Sequence, residues 1–117
     1  MSAPQSIWVD LMGATVRTVE GARYRTRVIE AGAGEALILI HGVGASAEVF
    51  ARNIMNLAQH FHVYAIDALY HGYSSLEPYD SEHRVERQAE AVIDFMDAVG
   101  VRWAHIEGES MGAGIAF

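Results

Sequence analysis

The chain has 117 residues, a length typical of one domain, so we expect one hydrophobic core or part of one. Hydrophobic residues make up 51% of it, too large a share for a disordered chain. Eight basic against fifteen acidic residues give a net charge of −7, which argues against a nucleic-acid partner. The lack of cysteine excludes disulfides, thiolate metal sites and a cysteine nucleophile.

Targeting and membrane signals are not evident. The first residues show no positively charged segment followed by an apolar stretch, so we expect no secretory signal. The strongest apolar run, residues 36–40, is far shorter than the ~20 residues of a membrane-spanning helix. Together with the lack of cysteine, this predicts a cytoplasmic protein with no membrane partner.

The first half of the chain predicts three strands. Residues 8–19 and 23–31 are rich in Val, Thr, Tyr and Arg and are separated by a glycine, a pattern of antiparallel strands. Residues 36–40 are continuously apolar, as expected for a strand buried on both faces of a parallel sheet.

The remaining elements alternate helix and strand. Ser46 can cap a helix whose apolar stripe is Val49, Phe50, Ile54, Leu57 and Phe61. A strand over 62–67, a loop over 70–79, a helix over 82–99 that stops at Gly100, and a last strand over 102–107 follow. This alternation predicts an α/β architecture, with a mostly parallel sheet after an antiparallel start.

A candidate nucleophile follows the last strand. Residues 108–112 fit G-x-S-x-G, with Gly108 and Gly112 around Ser110, between a predicted strand and a predicted helix. The small flanking residues permit a sharp turn that exposes the Ser110 hydroxyl at the helix N-terminus. There the backbone N–H of Met111 can donate to a developing oxyanion.

A second oxyanion donor is expected in the loop after the third strand. Gly42 and Gly44 let the backbone approach a substrate oxygen closely, so the N–H of Val43, with Gly42 as the alternative, is the candidate. We expect His41 to be structural, bonded to loop backbone. We do not expect the His60 and His62 pair to be metal ligands, because no carboxylate follows at metal spacing.

These motifs resemble those of α/β-hydrolase-fold enzymes. The residues that carry the resemblance are L-I-L-I-H-G at 37–42, D-A-L-Y-H-G-Y-S at 67–74 and G-E-S-M-G at 108–112. The likeness covers nearly the whole chain and implies an enzyme with its nucleophile after the fifth strand. Residues 41–48 are similar to those of hydrolases that cleave carbon–carbon bonds in ring-fission products of aromatic degradation, the meta-cleavage product hydrolases.

The family triad runs Ser, then Asp or Glu, then His, but residues 111–117 contain no acid and no histidine. We therefore expect residues 1–117 to be the N-terminal, incomplete part of one hydrolase domain, truncated after the nucleophile elbow and inactive alone. The full-length enzyme would act on a small-molecule ester or carbonyl substrate without cofactor or metal. Without later strands the fifth strand becomes an apolar edge, which predicts homo-oligomerisation or low solubility.

Two other functions are compatible with parts of the sequence. Residues 42–47 also fit G-x-G-x-x-A after a strand, and Asp67 ends the next strand, as in a dinucleotide-binding module. The absent histidine and acid would also suit a non-catalytic interaction fragment.

Overall fold

One mixed sheet organises the described part of the chain. The structure, a computed structural model, describes residues 13–41, 46–67 and 84–108. The sheet order is β1-β2-β4-β3-β5. The strands are β1 (Thr15–Glu20), β2 (Arg25–Ala31), β3 (Ala36–Ile40), β4 (His62–Ile66) and β5 (Ala104–Gly108).

The strand directions confirm the predicted antiparallel start. β2 pairs antiparallel with both β1 and β4, whereas β3 runs parallel to β4 and β5. Residues 15–19 of the predicted first strand lie in β1, while residues 8–12 lie outside the described residues. The other four strands begin and end within two residues of their predicted limits.

β3 is buried throughout because helices cover both faces of the sheet. Its side chains alternate between two cores: Leu37 and Leu39 pack with the helical segment after β3, and Ile38 and Ile40 pack with Phe95 of the second helix. Full burial of such a side chain contributes about 1.5–3 kcal/mol. The continuous apolar run therefore specifies a strand with two covered faces.

The first helical segment differs in detail from its prediction. It begins as a 3-10 helix, Ala47–Phe50, and continues as α1, Ala51–Leu57. Ser46 occupies the N-cap position, but its hydroxyl donates to the Glu48 carboxylate at 3.0 Å and caps no backbone N–H. The prediction of Val49 on the buried stripe is wrong: the 3-10 turn rotates its side chain outward and leaves it 51% exposed.

The second helix, α2, spans Arg84–Val99 and ends where the sequence predicts. Gly100 adopts a φ of +76°, the left-handed conformation that favours glycine. The N–H of Gly100 donates to the Asp97 carbonyl and that of Val101 to the Met96 carbonyl. These two bonds form a Schellman motif, which turns the chain toward β5.

Within the described residues, β5 pairs with one strand only, β3. Its Ile106 is 39% exposed, and Trp103, just before the strand, is 63% exposed. An edge strand presents unpaired backbone donors and acceptors, and apolar side chains on it favour pairing with another chain.

We expect the 117-residue chain to self-associate through β5. Ile106→Lys should shift the wild-type oligomer toward the monomer, because a lysine on an edge strand opposes strand pairing. Val16→Lys is the matched control, since Val16 is 42% exposed on β1 at the opposite edge. Light scattering after size-exclusion chromatography measures the mass. A monomeric wild type, or an equal effect of both substitutions, would contradict association through β5.

Candidate functional site

The carboxyl ends of three parallel strands meet at one edge of the sheet. Ile40 of β3 pairs with Ile66 of β4 and with Gly108 of β5, so the residues that follow these strands leave from the same edge. They are His41 and Asp67, while Gly108 itself ends β5. Ligands of open α/β sheets bind beyond this edge.

The described residues include the first position of the candidate nucleophile motif but not the serine. Gly108, the first residue of G-x-S-x-G, is the last residue of β5, which confirms that the motif follows a strand. Ser110, Met111 and Gly112 lie outside the described residues, as do the loop candidates Gly42, Val43 and Gly44.

A buried ion network occupies this edge beside His41. Arg27 of β2 donates from Nη1 to Glu48 Oε1 at 2.8 Å and from Nη2 to Glu48 Oε2 at 2.7 Å, a bidentate pair. Its Nη1 also lies 3.3 Å from Asp67 Oδ2. Arg27 is 8% and Asp67 1% exposed, so these charges interact largely out of water.

Asp67 extends the network to the backbone. Its Oδ1 accepts from the N–H of Ala47 at 2.7 Å, and its own N–H donates to the Arg27 carbonyl at 2.9 Å. These bonds fix the start of the 3-10 helix and the end of β4 against β2. We define Arg27, Glu48 and Asp67 as the edge triad.

The contacts of the edge triad stabilise its charged forms. The hydrogen bond from Arg27 lowers the pKa of Glu48, which outweighs the opposite effect of burial. The hydrogen bond to Glu48, against the cost of desolvation, raises the pKa of the Arg27 guanidinium. Both groups are therefore charged at neutral pH.

The edge triad also bears on the dinucleotide alternative. That alternative needs the Asp67 carboxylate to face a ribose. Instead, Asp67 is buried, and its two oxygens contact the Ala47 N–H and the Arg27 guanidinium. The buried Asp67 carboxylate is a partner of Arg27 and Ala47, an arrangement that does not fit the dinucleotide alternative.

The described histidines at positions 41, 60 and 62 lie in different surroundings. His41 is fully buried. His60 lies exposed in the turn after α1, whereas His62 begins β4 with Nε2 2.9 Å from Glu30 Oε2, so they do not share a strand. Residues 13–41, 46–67 and 84–108 bring no three or more His, Asp or Glu side chains together in a group that could hold a metal ion.

The His62 contact belongs to a second polar cluster, at the other end of β4. Burial alone would raise the pKa of Glu30, but hydrogen bonds from Arg17 and His62 lower it below its ordinary value. Tyr64 lies 3.3 Å from His62 Nδ1 through its hydroxyl, and burial raises its pKa. The cluster joins β1, β2 and β4 away from the candidate site.

A cavity of about 290 Å³ lies beside the carboxyl half of β5. Leu39 and Phe50 contribute apolar walls, and Glu107 contributes a carboxylate one residue before Gly108. Leu57 and the amides of Asn53 and Asn56 complete the lining. Glu107, predicted to be a polar residue at the strand end, is exposed in β5.

Comparison with known proteins agrees with this geometry. A family model for the alpha/beta hydrolase fold matches residues 35–117. The 2-hydroxy-6-oxo-6-(2'-aminophenyl)hexa-2,4-dienoic acid hydrolase of Metapseudomonas resinovorans is 38% identical over 100 residues, 82% of this chain and 34% of that protein. The 2-hydroxymuconate semialdehyde hydrolase of Pseudomonas sp. strain CF600 is 34% identical over 103 residues, 86% of this chain and 36% of that protein.

Solved structures show the same fold. The crystal structure of a membrane phospholipase A, a bacterial virulence factor, superposes with a TM-score of 0.82 at 36% identity, covering 93% of this chain and 36% of that one. The chain therefore belongs to the α/β hydrolase family. It spans about a third of the length of the curated relatives it matches. None of the helices that the structure describes is long and apolar enough to cross a membrane.

The lowered pKa of Glu48 predicts that part of the stability lost in acid depends on this residue. The folded state binds its proton less tightly than the unfolded state, whose ordinary pKa is 4.5. The resulting stability is complete above about pH 4.5 and is lost as the pH falls through the folded pKa. Glu48→Gln should lower the free energy of unfolding by about 1.5–3 kcal/mol at pH 7, with a difference that shrinks toward pH 3.

Urea unfolding at several pH values measures this difference. Glu20→Gln is the control, because Glu20 is an exposed residue of β1 outside the edge triad. A loss in Glu48→Gln that stays constant from pH 7 to pH 3 would show that the Glu48 charge is not what stabilises the fold.

Proposed function

We propose that this chain is the nucleophile-bearing part of a cytoplasmic serine hydrolase of the α/β hydrolase family. The observation that supports the proposal is the end of β5 at Gly108, the first residue of G-x-S-x-G, at the carboxyl edge of the sheet. A serine at such a strand end is exposed toward a substrate that binds beyond the sheet. The hydrolase relatives support the same reaction class.

In the proposed reaction, the Ser110 Oγ attacks a substrate carbonyl carbon, and its proton passes to a histidine. The tetrahedral oxyanion accepts hydrogen bonds from the N–H groups of Met111 and Val43. The leaving group then departs with the proton from the histidine, and water releases the acyl group from Ser110 by the reverse sequence. These steps require no metal and no cofactor.

The names of the relatives support a proposal for the substrate class. Two are hydrolases of dienoic acid or semialdehyde compounds, and one similar structure is a phospholipase. All present a carbonyl group to attack. We therefore propose a small-molecule ester, or a ketone whose adjacent carbon–carbon bond is cleaved.

The 117-residue chain alone is proposed to be inactive. All six histidines precede Ser110 in the sequence, whereas the family order places the catalytic histidine after the nucleophile. Without that base the Ser110 hydroxyl is a poor nucleophile at neutral pH.

An alkyl fluorophosphonate tests this proposal, because an activated serine displaces fluoride and retains the phosphonyl group. The protein produced from the complete reading frame should gain one adduct, which peptide mass spectrometry places on Ser110. Ser110→Ala should abolish the adduct and Ser6→Ala should not. The 117-residue chain should react at least about a thousandfold more slowly. No adduct in the complete protein, or an adduct retained in Ser110→Ala, would refute a Ser110 nucleophile.

A further inference from the structure

The edge triad holds two segments of the functional edge that are distant in sequence. Glu48 lies 21 residues and Asp67 40 residues from Arg27 along the chain. Through them, β2 is joined to the start of the 3-10 helix and to the end of β4. The chain leaves β3 through the fully buried His41 and re-enters the described structure at Ser46. His41, before residues 42–45, is therefore buried, and Ser46 and Ala47, after them, are held by hydrogen bonds.

Net stability is a weak reason for a buried Arg27–Asp67 pair joined to the half-buried Glu48 at this place. Desolvation offsets most of the attraction in a buried ion pair, and apolar residues of similar volume often stabilise a fold as well or better. What the charged groups add is a fixed hydrogen-bond geometry between the segments that they join. The guanidinium presents two parallel N–H groups to Glu48 and a further contact to Asp67, a geometry that a less planar or apolar group does not reproduce.

The contact with the Ala47 backbone shows which segment this hydrogen-bond geometry holds. Asp67 Oδ1 accepts from the Ala47 N–H at 2.7 Å, while Arg27 contacts Oδ2 of the same carboxylate. Glu48, next to Ala47 in the chain, accepts hydrogen bonds from both the Arg27 guanidinium and the Ser46 hydroxyl. The N-terminal end of the 3-10 helix is thus held from two sides, by Asp67 and by Arg27.

We propose that Arg27 is a positioning residue, which acts through Glu48 and Asp67 to fix Ser46 and Ala47 and so to orient the oxyanion-donating segment that precedes them. This inference rests on the proposed function of Val43 as an oxyanion donor. Arg27 itself does not contact the substrate. A displacement of about 1 Å at a donor can reduce an enzymatic rate by roughly a hundredfold, so a remote buried side chain can control the reaction.

Arg27→Lys is the decisive variant, because it keeps the positive charge and removes the bidentate geometry. Amide hydrogen exchange in the complete protein should accelerate at Ala47 by about tenfold, while exchange in α2 stays as in the wild type. The rate of Ser110 phosphonylation at saturating fluorophosphonate should fall roughly ten- to hundredfold, with little change in the half-saturating concentration. Arg52→Lys, at an exposed position of α1, is the matched control and should change neither.

Three results would overturn the positioning role. Equal acceleration of all buried amides would show that Arg27 only stabilises the fold. Unchanged exchange at Ala47 would show that the edge triad does not hold this helix end, and faster exchange with an unchanged labelling rate would show that the held end does not affect the reaction. If Arg27→Lys does not fold, Glu48→Gln serves with the same readouts.

The two proposals fail in different measurements. A wild-type protein without a Ser110 adduct refutes the proposed nucleophile and with it the catalytic meaning of the edge triad. A labelled wild type whose Arg27→Lys variant reacts at the same rate refutes only the positioning role.

Discussion

Burial of β3 on both faces is the constraint on which the rest of the structure depends. A five-residue run of apolar side chains can be removed from water only if separate layers cover the two faces of the sheet. The 3-10 helix with α1 covers one face and α2 covers the other. With its neighbours β4 and β5 parallel to it, β3 brings three strand ends to one edge. The candidate site lies at that edge because of this arrangement.

The same arrangement makes the edge the place where charge is buried. Side chains that leave the ends of interior strands are surrounded by protein, so a polar group there needs an internal partner. Asp67 follows a buried strand and contacts Arg27 and the Ala47 N–H, and Glu48 forms a bidentate pair with the same guanidinium. The fold thus places a hydrogen-bonded polar framework at the carboxyl edge of the sheet, where β2, β4 and the 3-10 helix meet.

Much of the fold could be predicted from local patterns. The apolar run at 36–40 predicted a doubly covered strand, and Gly100 predicted the end of α2 because glycine adopts the left-handed conformation without strain. The G-x-S-x-G motif predicted that a strand ends just before the candidate serine, and β5 ends at Gly108. These features depend on a few neighbouring residues or on one repeated pattern, so a single sequence is sufficient to find them.

The edge triad could not be predicted in this way. Arg27 lies in β2, whose sequence R-T-R-V-I-E-A is about half polar and gives no sign of a buried arginine. β2 is nevertheless an interior strand, with β4 on one side and β1 on the other. Its partners come from distant parts of the chain, and sequence spacing gives no indication that they converge. The position of Asp67 after the next strand from residues 42–47 suggests a ribose contact instead of a contact with Arg27. The predicted burial of Val49 is wrong for a local reason: a 3-10 turn changes the direction of each side chain relative to an α-helix.

The central claim is that this chain supplies the nucleophile of a serine hydrolase whose remaining catalytic groups follow in the reading frame. The coding DNA beyond the codon for Phe117, read together with the intact mass of the native protein, tests it most directly. The account predicts an open frame that encodes an Asp or Glu and then a His, and a native mass well above that of 117 residues. A stop codon after Phe117 with a native mass equal to that of 117 residues would contradict it.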